Sequence, residues 1–397
     1  MREGWTYKKL GEICKVITKG TTPTTIGYKF TDNGINFIKI ECIDSIRNLI
    51  KENLTFISEE CNNSMIRSQL QEKDLLFSIA GALGRIYIVE KSVLPANTNQ
   101  ALAIIRLSDK QDLFLLFLSY FLNSNTIKRQ IEKDKVGVAQ FNLSLGQIKD
   151  FIIPIPSIAE QQHIVSELDL LSSIIEKKKA QLKEYDQLAQ SIFYDMFGDP
   201  VTNEKGWEVK KLGELALVKT GPFGSMLHKQ DYISNGTPLV NPIHMKDFHI
   251  IADMDFTISD EKVKELDKYI LQKGDVIFAR RGDIGRCAVV TEKENGYLCG
   301  TGSLFVRFVV EVVSTYIMYI IRSSSFTNEL VSNAKGATML NLNSSIVEDL
   351  RLPLPPLSLQ QSFASKIESI ERQKSLIQQS VKEVQTLFDS RMDYYFN

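Results

Sequence analysis

The sequence lacks the features that would place it among exported, membrane-bound or disordered proteins. Its 397 residues include only five cysteines, an odd number without a Cys-x-x-Cys pair. This pattern indicates reduced, mostly buried thiols rather than a disulfide framework. No run approaches the roughly 18 apolar residues of a membrane span, and the first ten residues lack the apolar core of a signal peptide. We therefore expect a cytoplasmic protein without membrane contact.

Neither sign of charge dominates, because 47 basic residues meet 48 acidic ones and the formal net charge is −1. A free-standing nucleic-acid binder that depends on electrostatic attraction usually has a strong basic excess. The balance argues against that class but is compatible with local basic loops, or with partners that supply further phosphate contacts. Apolar residues make up 43% and charged residues 24%, which is typical of globular domains.

Complete catalytic and cofactor-binding motifs are also missing. The chain has no GxGxxG loop after a strand and no Walker-type lysine loop, and none of its four histidines has the spacing of a metal site. Residues 241–244 (Asn-Pro-Ile-His) begin like the Asn-Pro-Pro-aromatic motif of amino-methyltransferases, but they lack the second proline and the aromatic residue. No active site is visible in the sequence, and we expect no bound cofactor and no metal.

What the chain does have is an internal repeat, in which segments of the first half return in the second at a nearly constant offset. The repeated segments are 5–13 (WTYKKLGEI) at 207–215 (WEVKKLGEL), 74–85 at 275–286, and 151–156 at 350–355, with offsets of 202, 201 and 199. The slow drift indicates small deletions in the second copy. Two collinear halves predict a pseudo-twofold molecule.

Each half divides into a mixed part and a helical part. The mixed parts contain short strand-like runs at 35–40, 75–79 and 86–89 and apolar helical stretches near 113–123 and 316–323. Proline-rich runs end each mixed part, because a helix cannot continue through them. The predicted segments are a mixed domain at 1–154, a helical spacer at 155–199, a second mixed domain at 200–353 and a second helical spacer at 354–397.

Both helical parts have the apolar spacing of a coiled coil. The seam residues are Ile164, Leu168, Leu171, Ile175, Leu182, Tyr185, Ala189, Ile192 and Met196 in the first part and Phe363, Ile367, Ile370, Ile377, Val381, Val384 and Phe388 in the second. Ser157 with Glu160 and Ser358 with Gln361 fit the capping-box pattern, so a helix of about 40 residues, on the order of 60 Å long, is expected after each serine.

Two seam positions, Lys178 and Lys374, are lysines. Each lysine either pins the register of an antiparallel helix pair or packs its stem and keeps its charged head in solvent. The sequence leaves both interpretations open.

Loops rich in Gly, Thr, Asn and Arg recur at equivalent places in both mixed parts and are candidates for DNA contact. Arg can bind guanine, Asn and Gln can bind adenine, and Thr or Gly can hold phosphate, although these residues are also common in turns. The candidates in the first half are Lys19, Thr21, Thr22, Ser78, Arg85, Asn97, Asn99, Gln100, Gln140 and Asn142. Those in the second half are Lys219, Thr220, Arg280, Arg281, Arg286, Thr301, Ser303, Lys335 and Thr338.

A comparison of the two copies separates these candidates further. Arg85 and Arg286 occupy the same place in both copies, which suits a scaffold or phosphate role common to both halves. Ala80 and Arg281 differ at one place, as base-reading positions would if each half recognised a different sequence.

The order of these motifs resembles that of the specificity subunits of type I restriction–modification enzymes. The resemblance rests on the Trp-x-x-Lys-Lys-Leu-Gly-Glu openings, the Pro-Ile-Pro…Glu-Gln-Gln helix start and the Phe-Gly-Asp-Pro…Gly-Trp junction, and it covers essentially the whole chain. It implies an α+β fold, in which two mixed α/β target-recognition domains are separated by two long antiparallel coiled-coil helices.

The resemblance also implies a function. Each domain would read one half of a split double-stranded DNA sequence, and the helices would dock two adenine-methyltransferase subunits. Motor-nuclease subunits would join for cleavage, and the chain itself would be non-catalytic. The helices would then fix the gap between the half-sites.

Other classes of protein predict different observations. An orphan bipartite DNA-binding protein would have no methyltransferase or nuclease genes beside its own. A degenerate methyltransferase would bind S-adenosylmethionine as the purified chain. A purely structural coiled-coil scaffold would leave the two mixed domains unexplained.

Overall fold

The computed structural model describes residues 4–44, 47–108, 112–133, 142–223, 226–334 and 341–397. The chain forms two compact units, the first from residues 1–180 and 378–397 and the second from residues 181–377. Each unit combines one mixed part with a segment of both long helices. The four-segment division drawn from the sequence stays a prediction, because these units divide the chain at other points.

The first unit contains a four-stranded antiparallel sheet ordered β2-β8-β5-β6, a three-stranded sheet ordered β4-β3-β7 and a ribbon of β1 and β9. Its strands are β1 (Thr6–Lys9), β2 (Cys14–Lys19), β3 (Ile35–Ile38), β4 (Thr55–Ile57), β5 (Leu75–Ser78), β6 (Ile86–Ile88), β7 (Ala96–Thr98), β8 (Leu102–Leu107) and β9 (Ile152–Ile155). Its helices are α1 (Leu10–Ile13), α2 (Glu59–Ser64), α3 (Asp112–Leu122), α4 (Asn125–Lys133), α5 (Leu145–Lys149) and α6 (Ile158–Phe197), the last of which continues into the second unit.

The second unit repeats the main sheet as β11-β20-β17-β18 and adds sheets ordered β12-β16-β13-β19, β14-β15 and β10-β21. Its strands are β10 (Val209–Lys211), β11 (Ala216–Thr220), β12 (Tyr232–Ile233), β13 (Thr237–Val240), β14 (Met245–Lys246), β15 (His249–Ile250), β16 (Thr257–Ile258), β17 (Val276–Ala279), β18 (Cys287–Val289), β19 (Leu298–Cys299), β20 (Ser303–Phe308) and β21 (Arg351–Pro353). Its helices are α7 (Leu212–Leu215), α8 (Asp260–Glu265), α9 (Ser314–Arg322), α10 (Ser324–Asn333), α11 (Ser344–Glu348) and α12 (Leu357–Phe396), the last of which continues into the first unit. The matching strand order confirms the internal repeat.

Each unit has its own core, formed by the main sheet, an apolar helix and segments of α6 and α12. In the first unit Phe77 of β5 and Leu118 of α3 belong to one buried cluster with Leu168 of α6 and Phe396 of α12. The corresponding cluster of the second unit contains Phe278, Ile317, Phe193 and Phe363. Each fully buried Leu or Phe side chain stabilises its unit by about 1.5–3 kcal/mol.

The two long helices run antiparallel within each unit. In the first unit Tyr395 Oη lies 3.2 Å from His163 Nε2, and Arg391 Nε lies 2.6 Å from Glu167 Oε1, so residue numbers rise along one helix as they fall along the other. In the second unit Lys374 of α12 pairs with Asp186 of α6. The α+β fold class, with two mixed domains and two long antiparallel helices, is confirmed.

The two helix starts differ. At the start of α6, Ser157 Oγ accepts from the amide of Glu160 (3.3 Å) and Glu160 Oε2 accepts from the amide of Ser157 (3.3 Å), as predicted. The predicted cap at Ser358 is wrong, because α12 already begins at Leu357. In the repeat Ser157 corresponds to Pro356, which has no side-chain acceptor and caps only through its carbonyl, 3.2 Å from the amide of Gln360.

The predicted seam needs one correction near the end of α6. Its first residues, such as Leu168, are buried, but Ile192 and Met196 are only partly buried, and Phe193 and Phe197 are buried instead. An α-helix drifts from a strict heptad because it has 3.6 residues per turn. The two phenylalanines thereby face the core of the second unit.

All five cysteines are free thiols, and all except the half-buried Cys14 are buried, as predicted. In the described part of the chain, no helix is long and apolar enough to cross a membrane. Within the same ranges, no three or more His, Cys, Asp or Glu side chains are grouped to hold a metal ion.

Candidate nucleic-acid interface

In the first unit, the predicted loops meet at the edge of the main sheet where β2 and β5 end and β8 begins. The amide of Thr21 donates to the carbonyl of Thr98 (3.2 Å), and the amide of Ile79 donates to the carbonyl of Ala101 (2.8 Å). The amide of Leu143 donates in turn to the carbonyl of Ile79 (2.9 Å). The loops after β2, β5 and β7 and the segment before α5 therefore form one continuous surface.

The second unit brings the equivalent loops together in the same way. The amide of Gly221 donates to the carbonyl of Ser303 (2.9 Å), and the amide of Arg280 donates to the carbonyl of Gly302 (3.0 Å). The amide of Leu342 completes the set by donating to the carbonyl of Arg280 (2.9 Å). Each unit thus presents one loop surface built from four chain segments.

Close backbone approach makes glycine necessary in these surfaces. A Cβ atom on Gly20 would lie 1.9 Å from the carbonyl oxygen of Thr98, and one on Gly221 would lie 1.9 Å from that of Gly300. No side chain fits at either distance, so both loops depend on glycine for their conformation.

The predicted site residues differ in how much of each side chain reaches solvent. The exposed ones are Lys19, Gln100, Asn142 and Arg281. The half-buried ones are Thr21, Thr22, Arg85, Asn99, Lys219, Thr220, Arg286 and Thr301. A hydrogen bond from the Thr22 hydroxyl to Gln100 Oε1 links two of the loops. Three further candidates, Gln140, Lys335 and Thr338, lie outside the described residues.

The remaining small polar candidates are completely buried. Ser78 Oγ donates to a carbonyl of its own loop (2.6 Å) and accepts from the amide of Arg85 (2.7 Å). Asn97 Nδ2 donates to Asn62 Oδ1 (2.9 Å), and Ser303 has no exposed surface. These three side chains lie inside the protein in this conformation and present no surface to a ligand.

The two arginines shared by the copies fasten equivalent 3₁₀ turns, which follow β3 and β13. Arg85 Nη1 donates to the carbonyls of Ile40 (3.2 Å) and Ile43 (2.7 Å). Arg286 Nη1 donates to the carbonyl of Pro242 (3.2 Å). Of the two roles that the repeat suggested for these arginines, the contacts favour the scaffold role.

The Asn-Pro-Ile-His motif forms the second of these turns. Asn241 Oδ1 accepts from the amide of Gly302 (3.3 Å), and His244 is buried with Nδ1 2.7 Å from the carbonyl oxygen of Leu239. Asn241 therefore connects the turn to the loop before β20, and His244 connects it to the end of β13. This is a structural role, unlike that of the methyltransferase motif.

A pair of adjacent cations distinguishes the second surface. Arg280 is only 5% exposed, whereas Arg281 is exposed. Both arginines donate from Nε to the same oxygen, Asn341 Oδ1, at 3.1 Å for Arg280 and 3.4 Å for Arg281. Burial and the neighbouring Arg281 lower the pKa of Arg280. Two guanidinium groups beside one neutral amide suit a guanine or phosphate ligand. Sequence reasoning missed Asn341, although it lies 199 positions after the predicted Asn142.

A duplicated buried ion pair was also missed. Arg106 of β8 makes two hydrogen bonds to Asp74, with Nε–Oδ1 and Nη2–Oδ2 distances of 2.7 Å each. Arg307 of β20 makes the same two bonds to Asp275, at 2.9 and 2.7 Å. Each pair joins the two central strands that lead into the loop surface.

A family model described as the type I restriction modification DNA specificity domain matches the chain twice, at residues 2–184 and 204–386. Each match covers one mixed part and most of the helix that follows it.

Two curated relatives are similar over most of their length. The type I restriction enzyme MjaIX specificity subunit of Methanocaldococcus jannaschii is 24% identical over 92% of this chain and 86% of its own. The EcoKI specificity subunit of Escherichia coli K12 is 22% identical over 96% of this chain and 84% of its own.

Solved structures share the fold. A chain from a study of complex assembly and conformational transition in a type I R-M system has a TM-score of 0.59 and 18% identity, over 100% of this chain and 98% of its own. The S subunit of a type I restriction–modification system from M. genitalium has a TM-score of 0.52 and 14% identity, over 98% of this chain and 95% of its own.

Proposed function

Because the chain belongs to the type I restriction–modification DNA specificity family, whose domain it carries twice, we propose that it is the non-catalytic subunit that selects a bipartite DNA target. Residues 1–154 and 200–353 form the two target-recognition domains, and each reads one half-site. Residues 155–199 and 354–397 form the helical spacers, which dock two adenine-methyltransferase subunits, and motor-nuclease subunits complete the complex. The whole assembly acts on DNA in the cytoplasm.

The observation that carries this proposal is the pair of equivalent loop surfaces. Each surface is built from four chain segments that meet at the same edge of a repeated sheet. Glycines hold the loops in close contact, and exposed Lys, Arg, Gln and Asn side chains extend from them. Such a surface provides both phosphate-positioning groups and base-reading groups.

The two surfaces differ in the chemistry of their exposed side chains, which supports different half-sites. The first presents the amides of Gln100 and Asn142, the type of group that binds adenine through two hydrogen bonds. The second presents Arg281, the type of group that binds guanine in the same way. The other accessible candidates, apart from the scaffold residues Arg85 and Arg286, contribute phosphate contacts. Lys19 at the end of β2 and Lys219 near the end of β11 are the cations among them.

Apolar side chains on the long helices support the docking of partner subunits. In the first unit Leu170 of α6 and Leu387 of α12 are 60% and 48% exposed. In the second unit Leu188 of α6 and Leu376 of α12 are 46% and 57% exposed. Leucines left exposed on helices that already have a buried seam are available for contact with a further protein. We assign one such pair to each methyltransferase subunit.

The first test is single-molecule sequencing of adenine methylation in host DNA, with the gene intact and with the gene deleted. A split motif that disappears on deletion is the expected result, and it gives both half-sites and the gap at once. Unchanged methylation, combined with DNA binding by the purified chain, would instead favour an orphan DNA-binding protein. Binding of S-adenosylmethionine by the chain alone would favour a methyltransferase.

Point variants then test the two surfaces separately. Arg281→Ala is expected to weaken binding by about 1–3 kcal/mol and to relax the preference for one base of one half-site. Gln100→Ala is expected to act on the other half-site only. Binding selections with randomised targets measure both effects, and a variant that relaxes both half-sites equally would contradict the assignment.

Helix length tests the spacer. Removal of one matched heptad from both α6 and α12 is expected to shorten the preferred gap, since seven residues of helix span about 10 Å, or roughly three base pairs. An unchanged gap would exclude the helices as the element that sets it.

A further inference from the structure

A side chain from the loop between β3 and β4 attaches the first recognition domain to its helices. The guanidinium of Arg47 lies 3.7 Å from the ring centroid of Tyr120 on α3, and its Nη1 donates to Ser119 Oγ (2.5 Å). Its Nη2 lies 4.0 Å from Asp169 Oδ1 on α6, to which the Tyr120 hydroxyl also donates (2.5 Å). The next residue, Asn48, donates to Glu176 Oε1 on α6 (3.2 Å). We call residues 47–48 the first helix strap.

The second unit has an equivalent attachment at the tip of the β14–β15 hairpin. The ring of Phe248 lies 3.5 Å from the guanidinium of Arg322 on α9, which also lies 4.4 Å from the ring of Tyr319. The next residue, His249, places Nε2 3.4 Å from Glu371 Oε2 on α12. We call residues 248–249 the second helix strap.

The two straps make the same contact with exchanged partners. Arg47 and Phe248 differ by 201 positions and Tyr120 and Tyr319 by 199, which are the offsets of the repeat. In the first unit the loop provides the cation and the helix provides the ring. In the second the loop provides a ring and Arg322 on the helix provides the cation. The cation–π contact is therefore present in both copies although the residue types that form it have changed sides.

Both strap positions also have an unusual backbone conformation. Arg47 and Phe248 have φ angles of 73° and 64°, in the left-handed region that residues other than glycine rarely adopt. Strain of this kind persists only where surrounding contacts hold it, and it is concentrated at functional positions. The strap contacts hold both residues in this conformation.

We propose that the two helix straps are positioning elements, which fix the angle of each recognition domain on the long helices and so restrict the gap at which the protein accepts its two half-sites. The inference rests on the proposed bipartite function. Arg47 and Phe248 line cavities together with Arg85 and Arg286, but their own side chains contact the helices, and we assign them no role in reading bases. Since successive base pairs are 3.4 Å apart, a small rotation of a domain on its helix moves its reading edge from one gap length to the next.

The test is binding of the complete complex to DNAs that carry both half-sites at gaps differing by one base pair. Arg47→Asn and Phe248→Asn are suitable variants, because asparagine tolerates the left-handed conformation but cannot reach the helix. The expected result is a fall of about 3- to 10-fold in the affinity ratio between the preferred gap and its neighbours, which corresponds to the loss of one partly buried cation–π contact. The base preference within each half-site is expected to stay the same.

A rescue variant separates positioning from general stability. Asn123 lines one cavity with Arg47 and corresponds to Arg322 in the repeat. Arg47→Phe combined with Asn123→Arg would rebuild the first strap in the form of the second and is expected to restore the affinity ratio, whereas Arg47→Phe alone is not. Lys51→Ala, which removes an exposed cation from the same loop region, is the matched control and is expected to leave the ratio unchanged.

The outcomes are distinguishable. The strap inference would be overturned if the affinity ratio between the preferred gap and its neighbours stayed unchanged in both asparagine variants. It would also be overturned if Lys51→Ala lowered that ratio equally. Either result would leave the bipartite function intact. A wild-type complex that shows no preference for any gap would overturn the proposed function and the inference together.

Discussion

Lys374 Nζ of α12 lies 2.8 Å from Asp186 Oδ1 of α6, so a buried cation on one long helix pairs with a carboxylate on the other. The Lys374 side chain is only 8% exposed, and Nζ also lies 2.9 Å from Glu371 Oε1. Of the two roles that the sequence left open for this lysine, the structure favours the register-pinning one. If one long helix shifted by one turn along the other, the buried cation of Lys374 would lose Asp186 as its partner. The cost of that loss disfavours other registers.

The first prediction concerns this pair. Asp186→Ala is expected to lower the free energy of unfolding by about 1 kcal/mol, since Asp186 is half-exposed and Glu371 still pairs with Lys374. Lys374→Met is expected to leave stability unchanged or raise it, because an apolar side chain removes the desolvation cost of the cation. Urea unfolding measures both. Glu184→Ala, at an exposed position of the same helix, is the control, and an equal loss there would show that the pair is not the cause.

The second prediction is a dependence on pH. Burial by itself raises the pKa of Glu371, but hydrogen bonds from His249 and Lys374 outweigh it and hold the pKa below its usual 4.5. A depressed pKa in the folded state means that the carboxylate stabilises the protein above the unfolded pKa and that this stability is lost as pH falls through the folded pKa. Between about pH 5 and pH 3, the wild type should therefore lose more stability than Glu371→Gln. Glu368→Gln, on the exposed face of the same helix, should keep the slope of the wild type.

The third prediction compares a buried and an exposed ion pair of one unit. Asp74→Asn is expected to destabilise the first unit by roughly 3–5 kcal/mol, because the mutation leaves the guanidinium of Arg106 without its partner charge. Asp150→Asn removes an exposed partner of Lys9 and should change stability little, since solvent screens that pair. Limited proteolysis with peptide mapping locates the effect. Equal sensitivity of the two units to Asp74→Asn would contradict their separate cores.

The fourth prediction concerns thiol reactivity. Burial raises the pKa of Cys14 and of Cys287 to about 12, and it also raises those of Cys42, Cys61 and Cys299. The thiolate is the reactive form, so the folded protein should resist iodoacetamide at pH 8 and react at all five positions in urea. Mass spectrometry counts the labels. Rapid labelling of Cys42 in the folded protein would contradict its burial.

The sequence was sufficient for those elements whose signal is local. The apolar run at 75–79 is bounded by Asp74 and by glycines, and it forms β5 as predicted. The buried seam of the long helices follows from apolar spacing alone through Leu168 and Ile175. The repeat strengthened each assignment, because both copies predict the same element from different residues.

Burial within the candidate surfaces could not be predicted from residue type. Ser78 and Gln100 are both polar loop-edge residues, but Ser78 ends a strand whose four positions are all buried, whereas Gln100 is exposed. The Asp74–Arg106 pair depends on the register of β5 against β8, which no local pattern reports. Its recurrence as Asp275 and Arg307, again 32 residues apart, was the available signal.

The core of the first unit contains Met392, Tyr395 and Phe396, the last turns of the second long helix. During synthesis the ribosome must add roughly 200 further residues after Ala180 before these side chains emerge, which takes on the order of 10–40 s at ordinary elongation rates. Throughout that interval the first unit exposes an open apolar surface, whereas the core of the second unit is complete earlier, once Ile370 has been added. Nascent chains should therefore be held by chaperones through their first unit, and a chain released before Met392 is added would have its first unit, not its second, vulnerable to degradation.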